Sequence, residues 1–325
     1  MMTEQSINFE PEPFRPQFPF RKPHVQTLVG NFLRSENSLT FRRERLDTPD
    51  GDFIDLDFAD VNGYSWAELG EEAPIVLALH GLEGNARRGY MCELYRQLAR
   101  RGMRPVGMNF RSCSGEINRR ARFYNAGSTD DVAVVVAWLQ THWPAAPKGV
   151  VGFSLGANQT LKFLGEQGAA LPEVVRGAAA VSPPFQMDIG IDLLNRFPGT
   201  LYGRYFLRSL HGKAIAKKEL LADKVDLERV LATRTIQEFD EVATAVLHGY
   251  SGAVDYYQQC SSARFLAQIQ RPTLLLRAVD DPMIAPADIP HATIAANSCL
   301  NLVLTEHGGH VGFVEGNPLN GVSFW

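Results

Sequence analysis

Apolar residues recur along this chain in two different rhythms. Before residue 60 they alternate: 39–46 and 53–59 flank Asp47-Thr48-Pro49-Asp50-Gly51-Asp52. Alternation around an Asp-Gly turn predicts an antiparallel hairpin. From Pro74 onward, unbroken apolar runs at 75–80, 105–110 and 150–153 alternate with amphipathic stretches at 89–101, 129–143 and 155–167. Strands without alternation are covered on both faces, so this half predicts a parallel sheet between helical layers. A further strand is expected over 177–182, where Pro183-Pro184 ends it, and the apolar pattern resumes as a strand only at 272–276.

The segment between those strands is helical in character, with aromatic and cationic residues interleaved over 197–218 and a helix-like run at 236–247. A helical insertion between late strands of such a sheet is expected to cap the site at the strand ends. Ahead of the hairpin lies a Pro- and Phe-rich arm containing Phe9, Phe14, Phe18, Phe20 and Phe32, apolar enough to wrap onto the body of the protein. The chain therefore divides into an arm (1–38), the first part of an α/β core (39–182), a helical cap insertion (183–270) and the second part of the core (271–325).

With 325 residues, 45% of them hydrophobic, one large α/β domain with an insertion fits better than two independent domains. A net charge of −4 gives no electrostatic ground for a nucleic-acid partner. Four scattered cysteines have neither metal-ligand spacing nor a small frame to staple, which fits a reducing compartment. No signal-peptide pattern and no run of membrane-spanning length are seen, so a cytoplasmic protein without an integral membrane segment is expected. Nothing in the spacing of His24, His142, His211, His248 and His291 suggests a metal, and no cofactor is expected.

The chemistry concentrates at Gly152-Phe153-Ser154-Leu155-Gly156, between a strand and a helix. In that setting the pentapeptide is a nucleophile elbow: Ser154 is lifted out of the chain, and the Leu155 amide sits at a helix start where it can donate to an oxyanion. The sharp turn requires glycines on either side. His80-Gly81-Leu82-Glu83-Gly84 follows an earlier strand, where the second oxyanion amide arises in this fold, and Leu82 is its candidate. His80 precedes the serine at a strand end and is assigned to loop orientation. His307-Gly308-Gly309-His310 lies on a glycine loop beyond the last strand; His310, deeper in the loop, is favoured over His307 as the base. The acid is expected in the turn after the strand beginning at Thr273, where Asp280 and Asp281 are adjacent. Pro282 favours Asp281, although spacing alone allows Asp280. Asp130 and Asp131 are assigned to the first turn of a helix capped by Ser128.

Together with Asn109-Phe110-Arg111-Ser112-Cys113-Ser114-Gly115-Glu116, His248-Gly249-Tyr250, Asp255-Tyr256-Tyr257 and Lys22-Pro23-His24-Val25-Gln26-Thr27, these motifs resemble the YheT-like esterase branch of the α/β-hydrolases over nearly the whole chain. The resemblance implies a carboxylic ester hydrolase acting on short-chain esters or monoacylglycerol-like lipids through Ser154, Asp281 and His310, with the aspartate directly before the proline as the acid. It leaves two alternatives: an acyltransferase or thioesterase using the same triad, and a non-catalytic binding protein on the same fold. It assigns no chemistry to the Arg111–Glu116 loop, which is taken as structural. It also implies a C-terminal helix beyond the histidine loop, which the residues up to Trp325 are expected to lack.

Overall fold

The computed structural model describes residues 11–34, 39–317 and 321–324. Phe9 of the arm lies outside them. The first described helix is α1 (Pro23–Leu33), which starts with proline at its first position, where a missing N–H costs nothing. Strands β1 (Leu39–Asp47) and β2 (Phe53–Val61) form the expected antiparallel hairpin. The alternation then follows as β3 (Ile75–Leu79), α2 (Gly89–Arg100), β4 (Arg104–Asn109), α3 (Thr129–His142), β5 (Lys148–Phe153), α4 (Leu155–Gln167) and β6 (Val175–Val181). After the insertion come β7 (Thr273–Ala278) and β8 (Leu300–Thr305).

Eight strands make one sheet in the order β1-β2-β4-β3-β5-β6-β7-β8. Only the β1–β2 and β2–β4 pairings are antiparallel. β3 and β5 lie in the middle, so their C-terminal ends face a crevice flanked on both sides, where ligands bind in open α/β sheets. The main apolar core packs one face of this sheet, with Leu77, Leu79, Val106, Val150 and Leu275 of the strands against Val132, Val135, Leu139 and Leu161 of α3 and α4, while a smaller cluster sets Ala59, Ala78 and Phe153 against Met91 and Tyr95 of α2.

Between β6 and β7 the chain forms a helical layer: α5 (Met187–Leu194), α6 (Gly199–Ala216), α7 (Lys218–Leu221), α8 (Leu227–Ala232), α9 (Ile236–Phe239), α10 (Ala245–His248) and α11 (Ala253–Cys260). A π-helical turn, Asp240–Thr244, joins α9 to α10. This layer has its own core of Leu207, Leu210, Ala214, Leu221, Val230, Phe239 and Ala243, closed against the sheet side by Phe123. Beyond β7 lies the short helix α12 (His291–Ala295), and after β8 the strands β9 (Val314–Asn317) and β10 (Gly321–Phe324) pair with each other as a separate antiparallel sheet.

Two sequence expectations change in the structure. α3 does begin at Thr129 with Asp130 and Asp131 in its first turn, but the Ser128 hydroxyl accepts from the Asn125 amide instead of capping the helix. Asp131 is spent elsewhere, on a buried ion pair with Arg111 at 2.6 and 2.8 Å. Arg111 also reaches Asp50 and Asp52, both at the hairpin turn, so the Arg111 loop is the electrostatic joint between hairpin and α3. That is the structural role expected of it.

Candidate active site

Ser154 occupies the turn between β5 and α4 with φ 53° and ψ −118°, a conformation that side-chain-bearing residues rarely adopt. The flanking glycines make the turn sterically feasible. A Cβ on Gly152 would stand 2.2 Å from the Gly156 carbonyl oxygen, and one on Gly156 would stand 2.5 Å from the carbonyl oxygens of Leu79 and His80. Backbone cannot retreat from such overlaps, so neither position admits a larger residue.

His310 comes to Ser154 from the far end of the chain. Its Nε2 lies 2.8 Å from the Ser154 Oγ, and its Nδ1 lies 2.8 Å from Asp281 Oδ2. With the proton on Nδ1, the ring donates to the carboxylate and accepts from the serine hydroxyl, the arrangement a general base requires. Asp281 is buried, and its other oxygen accepts the amides of Met283 and Ile284 at 2.9 and 3.1 Å. Those bonds fix the carboxylate's orientation. Arg277, fully buried on β7, donates to Asp281 at 3.3 Å and to Asp288 at 2.9 Å, tying the acid to the strand beneath it.

Asp280 does something different. It accepts the Gly309 amide at 2.9 Å and faces His307 Nδ1 at 3.3 Å, so this neighbouring pair braces the turn of the loop that carries His310. The structure therefore brings Ser154, Asp281 and His310 into one chain of contacts and leaves Asp280 and His307 beside it.

Leu82 and Leu155 line the same cavity as Ser154 and His310. The Leu155 amide is the first of α4, where a helix leaves its N–H groups without internal acceptors and its dipole favours negative charge. His80 is sealed beneath: its Nδ1 donates to the Gly81 carbonyl at 2.7 Å and its Nε2 accepts the Phe110 amide at 3.1 Å. Complete burial pushes its pKa down to about 3, so the ring stays neutral and holds the loop in place. Burial likewise pushes the Cys113 thiol up to about 11, which leaves it a poor nucleophile.

The cavity has a volume of about 130 Å³ and extends from Ser154 under the helical layer. Its walls are mainly apolar, with Met187, Ile191, Leu194, Phe206, Leu210 and Ile284 among them. Of the aromatic residues noted in 197–206, Phe206 alone belongs to this wall; Phe197 and Tyr205 are exposed, and Tyr202 bonds to His24 of α1 at 2.8 Å. Tyr256 and Tyr257 supply aromatic lining instead, and Tyr257 donates to Asp240, whose buried carboxyl is pushed up to about 6 by desolvation. Among the described residues, no group of three or more His, Cys, Asp or Glu side chains is arranged to hold a metal ion. No described helix is long and apolar enough to cross a membrane.

Sequence reasoning missed the supports of the histidine loop. Thr27 of α1 accepts the His310 amide at 2.9 Å, and Gln26 exchanges bonds with Val314 and also donates to Phe20. Arg34 donates to the carbonyls of Val311 and Gly312. The arm is thus a buttress for the loop. The motif Lys22–Thr27 marked the place, while its physical role needed the partner residues some 280 positions away.

Residues 74–317 match the family model described as the α/β-hydrolase fold. Over 314 residues the chain is 37% identical to the Escherichia coli (strain K12) protein YheT, which carries a provisional esterase name; the match covers 94% of this chain and 88% of that one. This chain belongs to the α/β-hydrolase fold family, in its YheT-like branch. Another relative of this α/β-hydrolase is the mouse phospholipase ABHD3, 32% identical over 90% of this chain and 71% of that protein. Among solved structures, the Pyrococcus furiosus esterase Pf2001 superimposes with a TM-score of 0.54 at 15% identity, covering 93% of this chain and 91% of that one, a likeness of fold.

Proposed function

We propose that this α/β-hydrolase is a serine carboxylic ester hydrolase that works through an acyl-enzyme. The observation that carries the proposal is the continuous contact from Asp281 through His310 to Ser154, 2.8 Å at each step, opening into an apolar cavity. The esterase and phospholipase names of its relatives support the same chemistry.

In the first half-reaction the Ser154 Oγ attacks the ester carbonyl carbon while His310 Nε2 takes the hydroxyl proton. The carbonyl oxygen becomes an oxyanion held by the Leu82 and Leu155 amides. As the tetrahedral species collapses, the C–O bond to the alcohol breaks and His310 returns its proton to the leaving oxygen. In the second half, His310 takes a proton from water, the resulting hydroxide attacks the acyl carbon, and the acid leaves as Ser154 is reprotonated. Asp281 keeps the imidazole in the required tautomer and stabilises its charged form throughout.

The helices of 183–270 act as a cap, and their apolar wall receives the acyl chain of a short-chain ester or monoacylglycerol-like lipid. Labelling with a fluorophosphonate, peptide mapping, and a p-nitrophenyl ester series from two to twelve carbons test the proposal together. Label on Ser154 with turnover that rises with chain length before the cavity fills is expected. Ser154→Ala should lower kcat by at least about 10⁴-fold. Unchanged turnover in that variant, or label elsewhere, overturns the assignment.

A further inference from the structure

Glu83 is an unusual neighbour for an oxyanion donor. It directly follows Leu82, has φ 53°, and carries a carboxylate whose side chain is only 1% exposed. A charge buried beside the reacting centre opposes a developing oxyanion unless it is neutralised, and a positive φ in a residue with a long side chain persists only where surroundings enforce it.

The surroundings are unusually complete, and half of them come from the cap. From the core, the Tyr124 hydroxyl donates to Glu83 Oε1 at 2.7 Å and accepts the Glu83 amide at 2.8 Å. From α6, the Lys213 ammonium pairs with Oε1 at 2.8 Å and the Ser209 hydroxyl donates to Oε2. One turn earlier on that helix, the Tyr205 hydroxyl accepts from Arg88, which also donates to the Glu83 carbonyl. Tyr205, Ser209 and Lys213 are spaced by four, so they lie along one face of α6. Ser209 and Lys213 bond directly to the residue after Leu82, and Tyr205 reaches it through Arg88.

We infer that Glu83 is a positioning residue through which α6 of the cap sets the oxyanion amide of Leu82, so that docking of the cap completes the oxyanion hole. Ser209 and Lys213 are absent from the cavity wall; Ser209 bonds to Glu83, and Lys213 to Glu83 and to the buried Cys113 thiol. Their influence on the reaction runs through Glu83. The inference rests on the serine-hydrolase reading for its kinetic consequence, while the clamp itself is testable without turnover.

Three variants, Glu83→Gln, Ser209→Ala and Lys213→Met, are compared with the wild type by ester kinetics, by thermal midpoint and by amide exchange on the peptide spanning 80–90. For Glu83→Gln and Lys213→Met, kcat is expected to fall by about tenfold or more, with KM changed less than about twofold, because the donor acts on the transition state. Ser209→Ala, the mildest change to the fold, should lower kcat by about threefold. The double variant Glu83→Gln/Lys213→Met should be no slower than the slower single, since both break one link. Lys213→Arg should recover part of the rate, and exchange at Glu83 should quicken in Lys213→Met while peptides around Ser154 stay protected. Variants that keep the wild-type kcat and the wild-type exchange at Glu83 overturn the clamp. A wild-type chain that turns over no ester while Lys213→Met still loosens the 80–90 peptide sinks the esterase reading and supports the clamp.

Discussion

The two halves of the site are held in different ways. Asp281 and His310 stand on loops at the ends of β7 and β8, and their supports are backbone amides, a strand-borne arginine and the arm. The loop of Leu82 rests partly on side chains that arrive from α6. On the proposed reading the base and its acid are therefore set by the sheet and the arm, whereas the oxyanion side is set jointly by the sheet and the helical insertion. In a fold that retains its sheet while its insertions vary, that division places the proton-transfer geometry outside the insertion and leaves the stabilisation of the oxyanion open to adjustment.

The sharpest way to break the comparison is at the acid. Asp281→Asn is expected to lower kcat by about 10³- to 10⁴-fold, because an amide presents the wrong partner to Nδ1, and steady-state ester kinetics read it directly. Asp280→Asn should cost at most about tenfold, since the carboxylate steadies only the loop; equal losses would mean the two acids share the role. Next in size, Arg277→Met leaves two buried carboxylates, Asp281 and Asp288, without their cation and should destabilise the fold by about 3–5 kcal/mol in urea unfolding. Thr27→Val strands the His310 amide and should cost about 1–3 kcal/mol. If it lowers kcat more than stability, the arm positions the base as well as fastening it.

The smallest effect is a pH dependence on the oxyanion side. His80 is held neutral with its pKa near 3 against an ordinary value of 6.5, so between those limits the unfolded chain binds a proton that the folded chain refuses. This contribution is therefore full above pH 6.5 and is lost as pH falls toward 3. A decline in Tm of roughly a few degrees from pH 7 to pH 5 is expected from this group, and His80→Gln should flatten it. A slope unchanged in that variant would assign the acid sensitivity to other groups.

Much of this was legible in the residues, because the features concerned are local. A glycine-flanked serine between an apolar strand and a helix, an aspartate before proline at a strand end, and a histidine in a glycine loop each carry their geometry in a few neighbours. The strand and helix rhythm from Pro74 onward fixed the parallel half of the sheet for the same reason. What sequence could not reveal were pairings across distance. Asp131 looked like an ordinary first-turn acid until Arg111 was found against it, and Glu83 looked like a loop residue until α6 was in place. Of the aromatics of 197–206, Phe206 alone joins the pocket lining, because the face a helix turns inward is decided by what it packs on.

The bonds between Thr27 and His310 and between Gln26 and Val314 join segments 283 and 288 residues apart. Closing so long a loop costs entropy that only a largely assembled body can offset, so this seam is expected to zip up late in folding. A chain emerging from the ribosome would then hold a formed serine elbow for some time without a seated imidazole, and its hydroxyl would stay chemically quiet until the two segments had met.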